Sequence, residues 1–200
     1  LVVLADKDAR ELLGTQGFFA PDLRIEREPG PPRPRLVVTV DPGAQARVAG
    51  VEINFEGDIA TSEDPDAVAQ RRAIVADWGL PTGQGFTQGR WDASKAGANR
   101  ALLARRYPAG RISYSVADVD ASTNEARLGL KLDSGALFRL GTLQVTGMER
   151  YDPVLVPRLA RLPVGMVYDQ EKIVQAQLRL AASGYFDSAF IYVDPESDPA

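Results

Sequence analysis

The chain of 200 residues contains no cysteine and no histidine. Without cysteine there is no disulfide, no thiolate nucleophile and no zinc site of the Cys/His kind. Without histidine there is no Ser-His-Asp or Cys-His relay, and no side chain whose ordinary pKa lies near neutrality. Basic charge is also short, with 23 Lys and Arg against 27 Asp and Glu, a net charge of −4 and a pI near 5.0. That balance argues against a nucleic-acid footprint, which needs a basic stripe to displace counterions. Two short basic clusters, Arg71-Arg72 and Arg105-Arg106, fall in helical patterns and read as solvated faces. No apolar run approaches the roughly 18 to 20 residues that span a bilayer. The chain opens on Leu1 to Leu4 with no initiator Met, so it is expected to be an excised or processed piece.

What the chain does have is internal repetition. Val40-Asp41-Pro42-Gly43-Ala44 with Arg47-Val48 lines up with Leu132-Asp133-Ser134-Gly135-Ala136 with Arg139-Leu140. Leu80-Pro81-Thr82-Gly83 with Phe86 matches Leu162-Pro163-Val164-Gly165 with Tyr168. Three helical patterns each end before an aromatic: at Gly17-Phe18, at Arg106-Tyr107 and at Gly184-Tyr185-Phe186. Phe18, Tyr107 and Tyr185 are expected in the core. Gly17 and Gly184 supply left-handed caps, whereas Arg106 calls for a different one.

The middle copy reads as β-α-α-β-β. Residues 48–55 alternate with period two, as a half-buried strand does. Asp64 caps a helix beginning at Pro65, with Val68, Val75 and Trp78 on one face until Gly79 and Pro81. Residues 91–106 form a second helix with Trp91, Ala98 and Leu102 on one stripe, and strands 111–117 and 126–132 follow around a polar turn. The third copy repeats this order: a strand at 138–145, a helix capped by Asp152 with Pro153, a helix at 169–183, and a strand beginning at 190–193. The first copy keeps only its back half: a helix at 6–16, a strand at 23–28, a proline-rich turn at 29–34 and a strand at 36–40.

Motifs that mimic catalytic or ligand sites fail on inspection. Gly83-Gln84-Gly85-Phe86-Thr87-Gln88-Gly89 has Gln88 where a dinucleotide loop needs glycine, and it follows a helix instead of a strand, so it reads as a helix-to-helix turn. Asp118, Asp120, Ser122 and Asn124 have calcium-loop spacing, but Thr123 and Gly129 stand where Gly and Glu are required. They read as a hairpin tip. The acidic residues 56–66 suit a strand exit leading to a helix N-terminus. No carboxylate pair is singled out by spacing, so no catalytic residue, metal site or cofactor is assigned.

The β-α-α-β-β unit, the phrases around Gly165 and Tyr168 and around Gly83 and Phe86, the helix end at Gly184-Tyr185-Phe186, Tyr107, and Gly135-x-x-Phe138-Arg139-Leu140-Gly141 resemble polypeptide-transport-associated (POTRA) repeats. Such repeats precede the β-barrel of outer-membrane assembly factors. The long spacer from Phe86 to Tyr107 is most similar to the TamA family of the translocation and assembly module. The resemblance implies an α+β fold of tandem repeats, each a three-stranded mixed sheet with two helices on one face. It divides the chain into 1–45, the second half of one repeat; 46–135, a complete repeat; and 136–200, a repeat lacking its last strand. It implies a non-enzymatic arm on the periplasmic side of the outer membrane, continuing into a barrel. Its partners would be unfolded outer-membrane proteins or autotransporters and an inner-membrane-anchored subunit. In the family order the second strand is a sheet edge, here Arg111, Ile112, Ser113, Tyr114, Ser115 and Val116, suited to pairing with a client strand. Ser113 and Ser115 are expected on one face and Ile112, Tyr114 and Val116 on the other. The rival readings are a spacer between barrel and inner-membrane partner, and a carboxylate-based hydrolase.

Overall fold

The computed structural model describes residues 2–30, 35–148 and 151–194. It is α+β, with helices α1 (Val2–Thr15), α2 (Asp58–Thr61), α3 (Pro65–Ala76), α4 (Gln88–Leu103), α5 (Leu155–Ala160) and α6 (Gln170–Ala182). The strands are β1 (Asp22–Glu28), β2 (Arg35–Asp41), β3 (Arg47–Glu56), β4 (Arg111–Asp120) and β5 (Glu125–Asp133). β1 and β2 form a two-stranded antiparallel sheet, and the other three form a sheet in the order β3-β5-β4. Two compact units share these elements: residues 1–54, 77–97 and 114–131 make one, and residues 55–76, 98–113 and 132–200 the other.

In the first unit α1 ends in a Schellman motif. Gly17 sits at φ 90, its N–H reaches the Gly14 carbonyl and that of Phe18 reaches Leu13. β1 pairs with β2 from Asp22 opposite Asp41 to Glu28 opposite Arg35. Asp41 then closes the turn by accepting from the Gly43 N–H at 3.0 Å. Trp78 and Trp91 meet edge to face at 5.9 Å, and the Trp78 indole N–H is satisfied by the Leu80 carbonyl. Residues 31–34, most of the proline-rich turn, lie outside the described residues.

In the second unit the side-chain amide of Gln70 on α3 donates to the carbonyls of Ala101, Leu102 and Arg105, closing the end of α4. Arg179 of α6 does the same for the Leu159 and Ala160 carbonyls at the end of α5. Asp169 caps α6 by accepting from the N–H groups of Glu171 and Lys172. Ala160, Ala176 and Leu180 form one buried cluster here, with Leu143, Leu162, Phe186 and Ile191 packed on it.

Several expectations need correcting. α3 buries Ala67 and Ile74, whereas Val75 is exposed, because the turns of α3 present a different stripe from the one chosen by hydropathy. α4 runs 88–103 instead of 91–106, so Gly89 lies inside it, not in the turn. Its stripe of Trp91, Ala98 and Leu102 is buried, with Ser94 added. The acidic exit from β3 contains a short helix, α2. Among the described residues, 138–145 and 190–193 form no ladder, apart from one bridge between Arg139 and Val167. α5 starts at Leu155, and Asp152 instead closes the turn before it by accepting from the Val154 N–H.

The alternation expected across residues 48–55 is also broken. Val48 is buried, but beyond Gly50 the half-buried positions are Val51, Ile53 and Phe55. The hydrogen bonds explain the change of phase. The Arg47 N–H reaches Asn124 and the Ser134 N–H reaches Glu56, so β3 runs parallel to β5. In a parallel ladder these bonds set Arg47 beside Glu125 and Glu56 beside Asp133. β3 therefore takes nine steps where β5 takes eight. One extra residue is a bulge, and it returns Val51, Ile53 and Phe55 to the side of Leu128, Leu130 and Leu132.

Glycine is required to different degrees at two turns. A Cβ at Gly83, at φ 88, would meet open space, whereas one at Gly17 would stand 2.1 Å from the Phe86 carbonyl oxygen. Gly83→Ala should cost about 1 kcal/mol, the strain of a left-handed L residue. Gly17→Ala should cost at least about twice that, because backbone must also move. Urea unfolding of both variants tests the order, which equal costs would contradict.

Candidate functional site

Two arrangements emerge from these elements: an open sheet edge and a joint built twice. β4 and β3 are the two edges of the three-stranded sheet. β4 ends at a hairpin tip where Asp120 accepts from the backbone and hydroxyl of Ser122, which together hold its carboxyl below the usual range. Asn124 completes the tip at φ 54. On β4, Tyr114 and Val116 are 52% and 38% exposed and Ile112 is half-buried. Ser113 is engaged, its hydroxyl donating to Glu56 at 2.8 Å, and Arg111 pairs with Asp133 at 2.6 Å. A Cβ on Gly129 would touch Val116 at 3.0 Å, which sets Val116 on the face away from Leu128 and Leu130. Beyond it Ala117 and Val119 are the half-buried positions.

Ile112 therefore does not share one clean face with Tyr114 and Val116. Burial changes phase between Ile112 and Ala117, as it does on β3, so the expected separation of serine and apolar faces fails in the middle of the strand. β3 was not singled out from the sequence, and its first residues are covered: the Val48 N–H donates to Gln84, and the Gly83 N–H donates to Val48.

The residues of the family-like phrases form the joints. In the first, Ala46 N–H donates to Gly17 O, Phe86 N–H to Ala46 O, Val48 N–H to Gln84 O and Gly83 N–H to Val48 O, at 2.8 to 2.9 Å. In the second, Phe138 N–H donates to Arg106 O, Tyr168 N–H to Phe138 O, Leu140 N–H to Met166 O and Gly165 N–H to Leu140 O, at 2.7 to 3.1 Å. The side chains follow, since Arg47 donates to Gly83 O and Arg139 to Gly165 O. Gly83 and Gly165 stand at φ 88 and 81. Phe86 and Tyr168 are buried and each meets a neighbouring ring, Phe19 at 6.0 Å and Phe138 at 6.1 Å respectively. Gly184, at φ 75, ends α6.

Three expectations change at these joints. Arg106 is not on a solvated face: it is 6% exposed, and Arg71 turns inward to the Ile59 and Ala60 carbonyls. Arg106 also adopts the left-handed conformation of the glycines it replaces, at φ 64. Its cap differs only in hydrogen bonding, because its N–H leaves the helix for the Tyr168 carbonyl at 2.8 Å. Tyr107 is fully buried, but Tyr185 is 47% exposed against Tyr151, and Phe186 packs on the core instead.

Around Tyr107 the polar groups close on one another. Its hydroxyl donates to Asp58 at 2.8 Å, and Arg106 donates to Asp64 at 3.1 Å. Asp64 also accepts from the Asp66 N–H, and these two partners, the Asp66 N–H foremost, hold its carboxyl below the usual range. Burial, with Asp58 beside it, pushes the Tyr107 phenol up to about 12. Among the described residues no group of three or more acids could hold a metal ion, and no helix is long and apolar enough to cross a membrane.

Comparison with known proteins places this geometry. No family model and no curated sequence matches the chain. Solved structures do. POTRA repeats 3 to 5 of BamA from Haemophilus influenzae superpose with a TM-score of 0.56 at 16% identity, over 96% of this chain and 74% of that one. POTRA repeats 1 to 3 of Omp85 from Anabaena match with a TM-score of 0.35 at 16% identity, over 98% and 76% of the two chains. The fold is thus α+β and like that of POTRA repeats.

The Tyr107 phenol carries a pH signature. Below pH 10 it is neutral folded and unfolded. Between pH 10 and about 12 the unfolded chain ionises first, so stability is present below pH 10 and lost as pH rises through 12. Over that window Tyr107→Phe should lose less stability than the parent by about 2 kcal/mol, measured by urea unfolding at stepped pH. Parallel losses would show that Tyr107 ionises freely in the fold.

Proposed function

We propose that this chain is a POTRA arm on the periplasmic side of a bacterial outer membrane, part of a factor that assembles or translocates outer-membrane proteins. On this reading it comprises the repeats 1–45, 46–135 and 136–200 and leads toward a β-barrel. It binds extended chains or a partner subunit by adding a strand to β4, and it performs no catalysis. The observation that carries the binding is the position of β4 at the sheet edge with Tyr114 and Val116 exposed. An edge offers backbone donors and acceptors to any extended segment, which suits clients that share no sequence. The clients would be unfolded outer-membrane proteins or autotransporters, and the partner an inner-membrane-anchored subunit. The long spacer between Phe86 and Tyr107 favours the TamA family within this class.

A second reading, a spacer that sets the distance from barrel to inner-membrane partner, is favoured by the bond-for-bond repetition of the joints. The two are separable at Tyr114. Tyr114→Pro removes a ladder donor and leaves both joints intact. With a photoreactive residue at Ser115, the variant should lose most crosslinking to an unfolded outer-membrane barrel protein. Crosslinking equal to that of the parent would leave only the spacer.

A further inference from the structure

We propose that Arg106 is a latch that ties the helices of the middle copy to the start of the third, a role the corresponding Gly17 cannot perform. The observations begin with conformation. An arginine at φ 64 is strained where glycine is not, and strained residues persist only where their surroundings hold them. Arg106 is also buried, and its Nε has no hydrogen-bond partner. A glycine would serve the turn without either cost, so what favours arginine lies in its contacts.

Those contacts point two ways. The guanidinium reaches Asp64 at 3.1 Å, and Asp64 with its other oxygen caps the start of α3 at the Asp66 N–H. The backbone of the same residue holds the third copy: its N–H donates to Tyr168 and its carbonyl accepts from Phe138, at 2.8 and 2.9 Å. Neighbouring groups add to this grip, the Gln170 N–H donating to Ala104 and Arg105 lying 3.8 Å from Asp169. The side chain thus fixes a backbone segment whose two polar groups seat residues 138 and 168.

The first joint is the internal control. Gly17 holds the same conformation and accepts from Ala46 in the same way, but it has no side chain to reach α-helical neighbours. The Gln45 amide bridges the Gln16 and Phe86 carbonyls there, without charge. Removing the Arg106–Asp64 pair should therefore loosen one joint and spare the other.

Hydrogen exchange of the 200-residue chain tests this with two single variants. Arg106→Gly keeps the left-handed turn and relieves its strain, and Asp64→Ser keeps a good helix cap while withdrawing the carboxylate. In both, the amides of Phe138, Leu140, Gly165 and Tyr168 should exchange about tenfold faster or more, because the pair no longer opposes local opening. The amides of Ala46, Val48, Gly83 and Phe86 should keep their parent rates. The double variant should match the faster single, since both changes remove one interaction. Unchanged or slower exchange at residues 138–168 would mean that the turn alone suffices and would overturn the proposal. Equal acceleration at both joints, or effects that add in the double variant, would overturn it as well.

Discussion

The structure depends on how the chain leaves α1, α4 and α6. A helix ends with carbonyls that need donors, and the chain must reverse sharply to send the next strand along the sheet. In this protein the reversal is made by one left-handed residue: Gly17, Arg106 and Gly184 stand at φ 90, 64 and 75. At the first two the carbonyl of that residue receives the N–H of a later extended segment, from Ala46 and from Phe138. The residue that ends α1 or α4 is therefore also the seat of a later extended segment. Without it, the residues before β3 and residues 138–140 would lose their first backbone partner.

The second constraint is that this seat is small and polar. Residues 46–48 pair on one side with residues 83–86 through main-chain bonds, and residues 138–140 do so with residues 165–168. The glycines at 83 and 165 serve this because both take positive φ. Apolar cover comes afterwards, from Phe86 against Phe19 and Tyr168 against Phe138. A joint closed by backbone hydrogen bonds tolerates wide change in side chains, which fits a fold recovered from solved structures at 16% identity.

Much of this was legible in the sequence and some of it was not, for identifiable reasons. The helix of Trp91, Ala98 and Leu102, the hairpin around residues 121–124 and the α3 cap at Asp64 were readable because period, turn chemistry and capping are local. The repeated phrases pointed to the joints because their glycines are fixed by backbone geometry. The bulge in β3 left only a trace, the odd step from Val48 to Val51 before Ile53 and Phe55, and which residue is extra depends on the partner strand. The burial of Arg106 was hidden for a similar reason: its partner Asp64 lies 42 residues away. Residues 138–145 read as a strand from their apolar pattern, but a ladder needs a neighbour along its length, and among the described residues only Arg139 finds one, at Val167.

The bulges also bear on what an open edge can do. Edge strands are commonly protected by bulges that interrupt a regular row of donors and acceptors. β3 carries an extra residue near Gly50, and its first residues are already covered by residues 83–86. β4 changes phase between Ile112 and Ala117, with Arg111 and Ser113 tied to Asp133 and Glu56. The large apolar side chains that β4 exposes are Tyr114 and Val116. An apolar patch this small favours weak, reversible pairing at such an edge over stable annexation of a strand, since each added ladder bond contributes only about 1 kcal/mol net. A longer uninterrupted edge would instead invite association between copies of the chain itself.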